Sequence, residues 1–527
     1  MGRCWRSSWA MALACCAALS AQEAAPAAKA PIEKPEGQRE NKPAPKNPVQ
    51  EFLKSTVEMI PAASLSVQVA ALMDAAELYG AEDKAQTLDL LAQAFRTAAA
   101  IPPSPGGKLG EAQSQVLVIM ANYDPGGAAE LLAGLSPKAR GFPLFMIVSK
   151  LIEQKELERA ISILELYSTP EAYPYTAANM VLKELAEDDA RRTQIFSAAA
   201  SSFTTESDIE GFSLLLQGQW RSTPRTVLDP AVHRAVTTVL KMKRPEDMSV
   251  TKSTDKGSVT FDNETDAELF DLIGVLQSVD PKGAKEILDQ RPSLAAALDR
   301  FPDGSASMAS SGGDRTSETK SISDMHNSDG QVQEQMRLNA VSDALAEEAL
   351  KLATDSALAA IKKAKQIPLE SIRARTLLQI AQEAVGKDPE GARLVLAQVD
   401  TELRGVKNMM NAAQLWAAFA ETAAKAKEVE LADKAIERGM AACETLYKED
   451  ANADDPNIAP REYWPSMQSW RTVMVAAATI HGLEAEPLLA RVTDPDLIVM
   501  ARLAVLRGVL KKPIKGMGIG VQHSKRS

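Results

Sequence analysis

Apolar side chains recur along most of the chain at the spacing of an α-helix, in which residues three or four apart share one face. The pattern is clear at residues 58–80 (EMIPAASLSVQVAALMDAAELYG), 369–386 (LESIRARTLLQIAQEAVG) and 411–427 (NAAQLWAAFAETAAKAK). Alanine is abundant and alternating β-branched runs are scarce, so the pattern predicts an all-α protein. Only residues 249–264 (SVTKSTDKGSVTFDNE) depart from it, and there we expect a loop or a small hairpin.

Three short segments share an Asp-Pro pair that is closely followed by glycine and then by an apolar run: DPGGAAELL at 124–132, DPKGAKEIL at 280–288 and DPEGARLVL at 388–396. An aspartate side chain accepts a hydrogen bond from a free backbone N–H at a helix start. Proline is tolerated at the first helical position, where its missing N–H costs nothing. The pair therefore predicts helix starts, and it recurs as Asp229-Pro230 and Asp494-Pro495.

The predicted helices carry a second regularity, an alanine with a leucine or isoleucine four residues later. This spacing puts a small and a large side chain on one face and lets two helices approach closely. The pairs are Ala128/Leu132, Ala160/Leu164, Ala284/Leu288, Ala357/Ile361, Ala392/Leu396, Ala432/Ile436 and Ala485/Leu489. The last four begin 35, 40 and 53 residues apart, and the first two begin 32 apart. Periods in the thirties and forties are typical of α-solenoids, although an irregular helical protein whose helices start alike is the alternative.

On these grounds the chain resembles the broad class of tetratricopeptide- and HEAT-like helical-repeat proteins, in architecture only. The Trp, Leu-Gly and Tyr pattern of tetratricopeptide repeats is absent from every copy. The resemblance implies an α-solenoid fold and the habit of binding other proteins, and it implies no site residues.

Two polar segments divide the sequence. Residues 22–50 are rich in Pro, Ala, Lys and Glu and predict a flexible tether. Residues 302–334 include GSASMASSGGDRTSETKSISDMHNSDGQ and predict a disordered linker. We therefore expect an N-terminal helical-repeat body at 51–301, a C-terminal body at 335–510 and a basic flexible tail at 511–527.

Residues 1–21 have the composition of a secretory signal peptide. Arg3 and Arg6 precede an apolar run at 9–19, which is shorter than the roughly 20 residues that a membrane-spanning helix needs. We expect cleavage near Ser20 or Ala21, export across the cytoplasmic membrane, and a periplasmic or extracellular location. Cys15 and Cys16 follow a sequence that matches a lipoprotein signal only loosely, so a lipid-anchored envelope component is a less favoured alternative. No later stretch predicts a transmembrane span.

Charge and cysteine content narrow the classes of partner. The whole chain has a net charge of −11, and loss of Arg3 and Arg6 with the signal makes it −13. An acidic chain repels phosphate backbones, so we expect no nucleic-acid partner. The exported chain would keep one cysteine, Cys443, which stands among alanines at helical spacing and predicts a buried core residue rather than a reactive thiol.

The sequence predicts no metal site and no cofactor. Its four histidines, at 233, 326, 481 and 523, form no closely spaced pair, and no CxxC or HExxH is present. His233 and His481 are isolated on helices or their ends. Residues 450–454 (DANAD) match the start of a calcium loop, but Asp455 stands at the glycine position and Arg461 at the position of the bidentate glutamate. We expect a solvated acidic loop there.

Catalytic motifs lack their partners as well. Ser249–Lys252 and Ser317–Lys320 match S-x-x-K, but both are expected in polar loops, and Gly516–Gly520 follows no predicted strand. Glu206 and Glu370 precede serine, as the catalytic glutamate of lytic transglycosylases does, without the glycine- and glutamine-containing segment of that family. Glu370 is also expected at a helix start, where the helix dipole keeps a carboxylate ionised.

The sequence therefore favours an exported, non-catalytic helical-repeat scaffold that binds a protein or peptide partner through stacked helix faces. The alternative is a secreted carboxylate-based hydrolase of glycoside type. We expect a shallow groove lined by helix faces and no pocket with two facing carboxylates. Trp416, Trp464 and Trp470 are candidates for anchors in the groove or for core packing, and core packing is favoured because aromatic residues at helical spacing usually face inward.

Overall fold

The computed structural model describes residues 47–102, 110–169, 173–205, 207–244, 248–254, 256–308, 317–322, 330–387, 389–452 and 460–513. Within these ranges the chain is predominantly α-helical, as the sequence predicts. The predicted signal peptide at 1–21 and nearly all of the predicted tether lie outside them, and so does most of the basic tail.

Helices follow one another along nearly the whole described chain. Those before the β-strands are α1 (Pro48–Met59), α2 (Leu65–Tyr79), α3 (Lys84–Ala98), α4 (Glu111–Met120), α5 (Pro125–Leu131), α6 (Pro137–Glu153), α7 (Leu157–Tyr167), α8 (Tyr175–Glu184), α9 (Arg191–Ser201), α10 (Ile209–Gln219) and α11 (Arg225–Lys241). Those after the first two strands are α12 (Glu264–Val279), α13 (Pro281–Asp289), α14 (Pro292–Arg300), α15 (Ser305–Met308), α16 (Gly330–Ala353), α17 (Ala357–Ala364), α18 (Glu370–Lys387), α19 (Pro389–Leu403), α20 (Met409–Lys425), α21 (Val429–Ala451), α22 (Pro465–His481) and α23 (Pro495–Val509). Short 3-10 helices occur at Ile60–Ala62, Leu132–Gly134, Arg461–Tyr463 and Gly482–Arg491.

A small antiparallel sheet has the strand order β2–β1–β3, with β1 at Met248–Thr254, β2 at Gly257–Phe261 and β3 at Ser317–Ile322. The first two strands form the hairpin that the polar, β-branched sequence predicts. Val250 pairs with Phe261, both are fully buried, and the Phe261 ring lies 5.1 Å from that of Phe270 on α12. The sheet is thereby fixed to the helical core.

Asp-Pro pairs begin helices at three described positions. Asp124, Asp280 and Asp494 each accept a hydrogen bond from a backbone N–H in the first turn of α5, α13 and α23, and a proline occupies the first turn of each helix. Asp388 lies outside the described residues, although its neighbour Pro389 is the first residue of α19.

The prediction of a helix start at Asp229-Pro230 is wrong, because Pro230 lies inside α11. This helix begins five residues earlier, at Arg225. Leu228 is fully buried, so the apolar face already starts before the Asp-Pro pair. The free energy gained by burying this extra turn exceeds the free energy lost with the backbone hydrogen bond that Pro230 cannot make.

The Ala/Leu pairs face the core. Each of these alanines is buried except Ala357, which is half-buried at the start of α17, while its partner Ile361 is buried. Neighbouring helices contact each other through these faces. Helices α4, α6, α8, α10 and α12 contact one another in succession, and so do α16, α18, α20 and α22. Helices that lie between them in the sequence contact members of each series.

The first and last described helices meet in one core. Helix α23 packs between α22 and the pair α1 and α2, and both α2 and α23 are buried around nearly their whole circumference. Gly508 allows the close contact between α22 and α23, because an added Cβ would lie only 2.5 Å from the carbonyl oxygen of Val475. The apolar core therefore crosses the boundary that residues 302–334 make in the sequence.

Residues 302–334 fall partly within the described ranges. Met308, at the end of α15, is fully buried, and β3 pairs with β1. The rest of this segment lies outside the described residues, except the start of α16 at Gly330. Only residues 323–329 separate β3 from α16, so the two elements cannot be more than about 28 Å apart.

Among the described residues, one segment is long and apolar enough to cross a membrane, Pro465–Arg491. It comprises α22 and the 3-10 helix that follows. Trp470, Val473 and Met474 of this segment are buried against neighbouring helices. Packing in the protein core therefore accounts for part of its apolar composition.

Candidate functional site

A groove of about 240 Å³ runs between α18 and α20, which are neighbours in one series of helices. Its lining residues come from three turns of α18 and two turns of α20. They are Ser371, Arg375, Leu378, Gln379, Gln382, Asn411, Gln414, Leu415 and Ala418. Leu378 and Leu415 form an apolar floor, since both are buried. The groove therefore lies between faces of two neighbouring helices.

The rim of this groove is polar and mostly amide. Arg375, Gln379 and Gln382 are exposed at positions i, i+4 and i+7 of α18, and Asn411 and Gln414 are three residues apart on α20. A side-chain amide both donates and accepts hydrogen bonds, as a peptide backbone does. The arrangement can therefore pair with the backbone of an extended peptide whose side chains contact the apolar floor.

Arg375 is the only charged residue among those that line the groove. No hydrogen bond or ion pair joins its guanidinium to another part of the described chain. Two residues earlier, Arg373 donates to Glu402 at 2.7 Å and to the carbonyl oxygen of Ile367 at 2.8 Å. Arg375 is thus free to bind an anion in the groove.

A second polar cluster lies where the first and last helices meet. The buried carboxylate of Asp74 on α2 pairs with Arg471 of α22, at 3.1 Å, and with Arg507 of α23. Arg507 also pairs with Glu77 at 2.8 Å. Burial lowers the pKa of Arg471 against the opposing effect of Asp74. Two acids and two arginines balance one another, so this cluster stabilises the junction of the helices.

The junction extends to the start of α23. The carboxylate of Asp496 accepts hydrogen bonds from the backbone N–H and the hydroxyl of Ser64, at 2.6 and 2.8 Å. Arg461 pairs with Asp496 at 3.0 Å and also with Asp494. Burial acts to raise the pKa of Asp494, but hydrogen bonds from Tyr447 and Arg461 outweigh it and leave the pKa lowered.

Glu462 is the carboxyl group in this region with the clearest environment for general acid chemistry. It is only 8% exposed, its Oε2 has no hydrogen-bond partner, and burial raises its pKa. The hydroxyl of Ser66 opposes the shift and the charge of Asp496 adds to it. At 8% exposure Glu462 is covered by packed protein, and it does not line the groove between α18 and α20.

The three tryptophans take the packing role that the sequence favours. Trp416 and Trp470 are 4% and 2% exposed, and Trp464 is half-buried against the core. The ring of Trp416 lies edge-on to that of Phe419, and the guanidinium of Arg438 lies 4.8 Å from its centre. None of them lines the groove between α18 and α20.

Cys443 is fully buried, as predicted, and burial raises the pKa of its thiol. His481 ends α22 and lies 2.7 Å from Asp433, and His233 lies within α11, 3.7 Å from Asp280. Each of these two histidines thus lies near one carboxylate. His326 and His523 lie outside the described residues.

The weak motifs of the sequence occupy structural positions where they can be described. Ser249–Lys252 lies on β1 rather than in a loop, and the buried Lys252 pairs with Asp271 at 2.6 Å. In a strand, residues three apart point to opposite faces, so these two side chains cannot act together. Ser317–Lys320 likewise lies on β3. Glu370 is the first residue of α18, as predicted.

The acidic segment that resembles a calcium loop contributes a helix cap. Asp450 accepts a hydrogen bond from the backbone N–H of Ser466 at 2.9 Å, at the start of α22. Residues 453–459, Glu206 and Gly516–Gly520 lie outside the described ranges. Within those ranges, no group of three or more His, Cys, Asp or Glu side chains is arranged to hold a metal ion.

The sequence predicts a groove lined by helix faces but not its place, although a signal for the place is present. The apolar face of residues 369–386 predicts a helix and gives no information on the groove. Arg375, Gln379 and Gln382 share the opposite face, and amide-rich faces on two helices about 35 residues apart are what a repeat groove requires. The sequence contains no comparable signal for the contact between α2 and α23.

Comparison with known protein families, with characterised proteins and with solved structures finds no match for this chain.

Proposed function

We propose that this protein is an exported helical-repeat scaffold that binds an extended peptide, or such a segment of a partner protein, between α18 and α20. The observation that carries the proposal is the groove itself. It has an apolar floor and an amide rim, and it includes no acidic residue among the residues that line it.

The packing of the helices supports an α-solenoid of repeated helix pairs. Helices α16, α18, α20 and α22 contact one another in series, while α17, α19 and α21 each contact the two helices of the series that flank them in the sequence. The small residues Ala392 and Ala432 are fully buried at equivalent places in successive pairs. Solenoids of this kind use the face formed by one series of helices as an extended binding surface.

The chemistry of the groove fits a peptide better than a compact small molecule. Ligand pockets are commonly 300–1,000 Å³ and enclose most of the ligand. The groove between α18 and α20 is smaller, about 240 Å³, and is bordered by side chains that are exposed to solvent. A peptide that lies along the two helices would satisfy the amides without being enclosed.

A degenerate hexapeptide library tests this function. The purified chain is incubated with the library, separated from free peptide by gel filtration, and the retained peptides are counted by mass spectrometry. We expect Gln379→Ala combined with Gln414→Ala to reduce retention at least tenfold. Gln366→Ala, at an exposed amide outside the groove, is the matched control. Equal retention by all three chains would place binding elsewhere.

Export is a separate part of the proposal, supported by Arg3, Arg6 and the apolar run at 9–19. N-terminal sequencing of the protein from the envelope fraction tests it, with a mature end near residue 21 expected. A mass increase on Cys15 or Cys16 would instead indicate the lipid-anchored envelope component.

A carboxylate-based hydrolase is the second candidate, and Glu462 is the observation that favours it. A glycosidase needs an acid of raised pKa beside an ionised carboxylate, and Asp496 is the neighbouring carboxyl group. The test is release of reducing ends from an insoluble glycan by the native chain and by Glu462→Gln. We expect no release from either, because packed protein covers Glu462. Release that is lost in Glu462→Gln would establish the hydrolase and displace the scaffold.

A further inference from the structure

We infer that Arg375 binds the free carboxylate at the C-terminal end of the bound peptide. This inference rests on the proposed peptide groove and names the class of peptide that the groove selects. It is carried by the unpaired guanidinium of Arg375, by the charge of the groove and by the position of Arg375 along it.

The guanidinium of Arg375 is available for a ligand. The side chain is exposed at the groove and has no ion-pair partner in the described part of the chain. Its neighbour Arg373 is held by Glu402. A guanidinium presents two parallel N–H donors to a carboxylate, a geometry that makes such pairs strong and specific.

The charge of the groove selects an anion. Eight of the nine lining residues are uncharged and the ninth is Arg375. The chain as a whole has a net charge of −11, so most of its surface repels an acidic ligand. A peptide that carries a carboxylate is therefore attracted to Arg375 in this groove, although the net negative charge of the protein repels it elsewhere.

The position of Arg375 leaves room in the groove for the last residues of a peptide whose terminal carboxylate it binds. On α18 the lining extends four residues before Arg375, to Ser371, and seven residues beyond it, to Gln382. Seven helical residues span about 10 Å, which is the length of about three residues of extended peptide. A peptide that ends at Arg375 can thus place its last three residues along Gln379 and Gln382.

The apolar floor adds a side-chain preference. Leu378 is buried one turn from Arg375, and Leu415 faces it from α20. An apolar side chain in the last residues of the peptide would contact these two leucines, while its backbone pairs with the amides of the rim. The selected class is a free C-terminus with an apolar residue within its last three positions.

The experiment uses the full chain and two hexapeptide libraries that differ only at the C-terminus, one with a free carboxylate and one amidated. We expect at least tenfold greater retention of the free-carboxylate library, and loss of this difference in Arg375→Ala. Arg375→Lys should recover part of the preference, because it keeps the charge and loses the paired donors. The matched control is Arg96→Ala on α3, another exposed arginine without a described partner, which should behave as the native chain.

The outcomes separate this inference from the proposed function. Equal retention of both libraries, still reduced by Gln379→Ala with Gln414→Ala, would keep the groove and overturn the role of Arg375. Enrichment of internal aspartate or glutamate in both libraries would assign Arg375 to a side-chain carboxylate and also overturn the inference. No retention of either library by the native chain would overturn both proposals.

Discussion

Single residues join helices from the beginning and the end of the described chain. Asp74 is 5% exposed and lies between two arginines from helices that are about 400 residues further along the chain. Burying an ion pair costs desolvation free energy, and removing one partner leaves the other charge buried without compensation. The carboxylate of Asp74 is the charge partner of the buried Arg471, and it shares the buried Arg507 with Glu77.

We expect Asp74→Asn to lower the free energy of unfolding by about 3–5 kcal/mol, because it leaves the buried guanidinium of Arg471 without a charge partner and leaves Arg507 with Glu77 alone. Urea denaturation followed by circular dichroism measures the change. Asp89→Asn, at an exposed site on α3, should stay within about 0.5 kcal/mol of the native chain. Equal losses in the two variants would show that the charge of Asp74 does not hold the junction.

Glu462 gives the stability of the protein a definite pH dependence. Its pKa is raised in the folded state by burial, so the folded chain binds this proton more tightly than the unfolded chain does. The contribution of Glu462 to stability therefore falls as pH rises from its ordinary value of 4.5 through its raised folded value. Glu462→Gln should remove this loss.

We expect Glu462→Gln to be more stable than the native chain at pH 7 and similar to it at pH 4, where the native carboxyl is protonated in both states. Thermal denaturation at the two pH values measures the difference. A variant that loses stability equally at both values would show that Glu462 is ionised and paired in the folded protein.

Ala392 tests the packing of successive helices. It is fully buried on α19, whereas Leu394, two residues later, is 57% exposed. Ala392→Leu should cost about 1–3 kcal/mol by overpacking the helix contact. Leu394→Ala should change stability by less than about 0.5 kcal/mol, since its side chain leaves little contact behind. Both are measured by urea denaturation, and an unchanged midpoint for Ala392→Leu would mean that the helix contact has room for a larger side chain.

At the scale of elements, the sequence is informative where the decisive contacts are local. The caps at Asp124, Asp280 and Asp494 are contacts within one turn, and the Asp-Pro pair predicts all three. Pro230 shows the limit of the rule, because a continuous apolar face extends its helix past the same signal. The Asp-Pro pair therefore predicts the start of a helix correctly only where the apolar face of the helix begins at the same position.

Asp280→Ala should destabilise the protein by about 1 kcal/mol, because it removes the hydrogen bond to the backbone N–H of Gly283. Asp229→Ala is the comparison within the same motif. Asp229 is inside α11 and caps no helix, so only its exposed pair with Arg225 is lost, which is worth about 0–1 kcal/mol. The difference in chemical denaturation midpoints checks the assignment, and a larger loss for Asp229→Ala would contradict it.

The candidate site could be predicted only in part from the sequence. The spacing of Arg375, Gln379 and Gln382 places them on one helix face by local geometry alone. That this face meets Asn411 and Gln414, and that no acidic side chain reaches the groove, depends on which helices are neighbours. Neighbours in space follow from packing of whole faces, which a single sequence does not specify.

At the scale of the whole molecule, one core joins segments that the sequence separates. Residues 302–334 interrupt the helical pattern and therefore predict two separate bodies. In the structure, however, α1 and α2, which precede this segment, pack on α23, which follows it. Arg502 shows the contact in detail, since it donates to Ser55 at 2.9 Å and lies 4.0 Å from the centre of the Phe52 ring. No periodicity or composition marks helices from opposite ends of a chain as partners.

We expect α2 and α23 to unfold together. Hydrogen exchange with mass spectrometry, in a series of urea concentrations, should show both helices losing protection at one midpoint, because each is covered by the other. Helix α17, at a distance along the series and only partly buried, is the comparison and should lose protection earlier. Separate midpoints for α2 and α23 would support two independent bodies.

The hydrogen bond between Arg507 and Asp74 joins residues 433 positions apart. This separation has a consequence for folding during synthesis. Synthesis proceeds at about 5–20 residues per second, so α2 exists for roughly 20–90 seconds before α23 has been made. During that interval α2 can pack on α3, but the part of its surface that α23 covers has no partner, and contacts of such high sequence separation form slowly even afterwards. Native packing of this part of α2 must therefore await α23, and a factor that shields nascent apolar surface would act there.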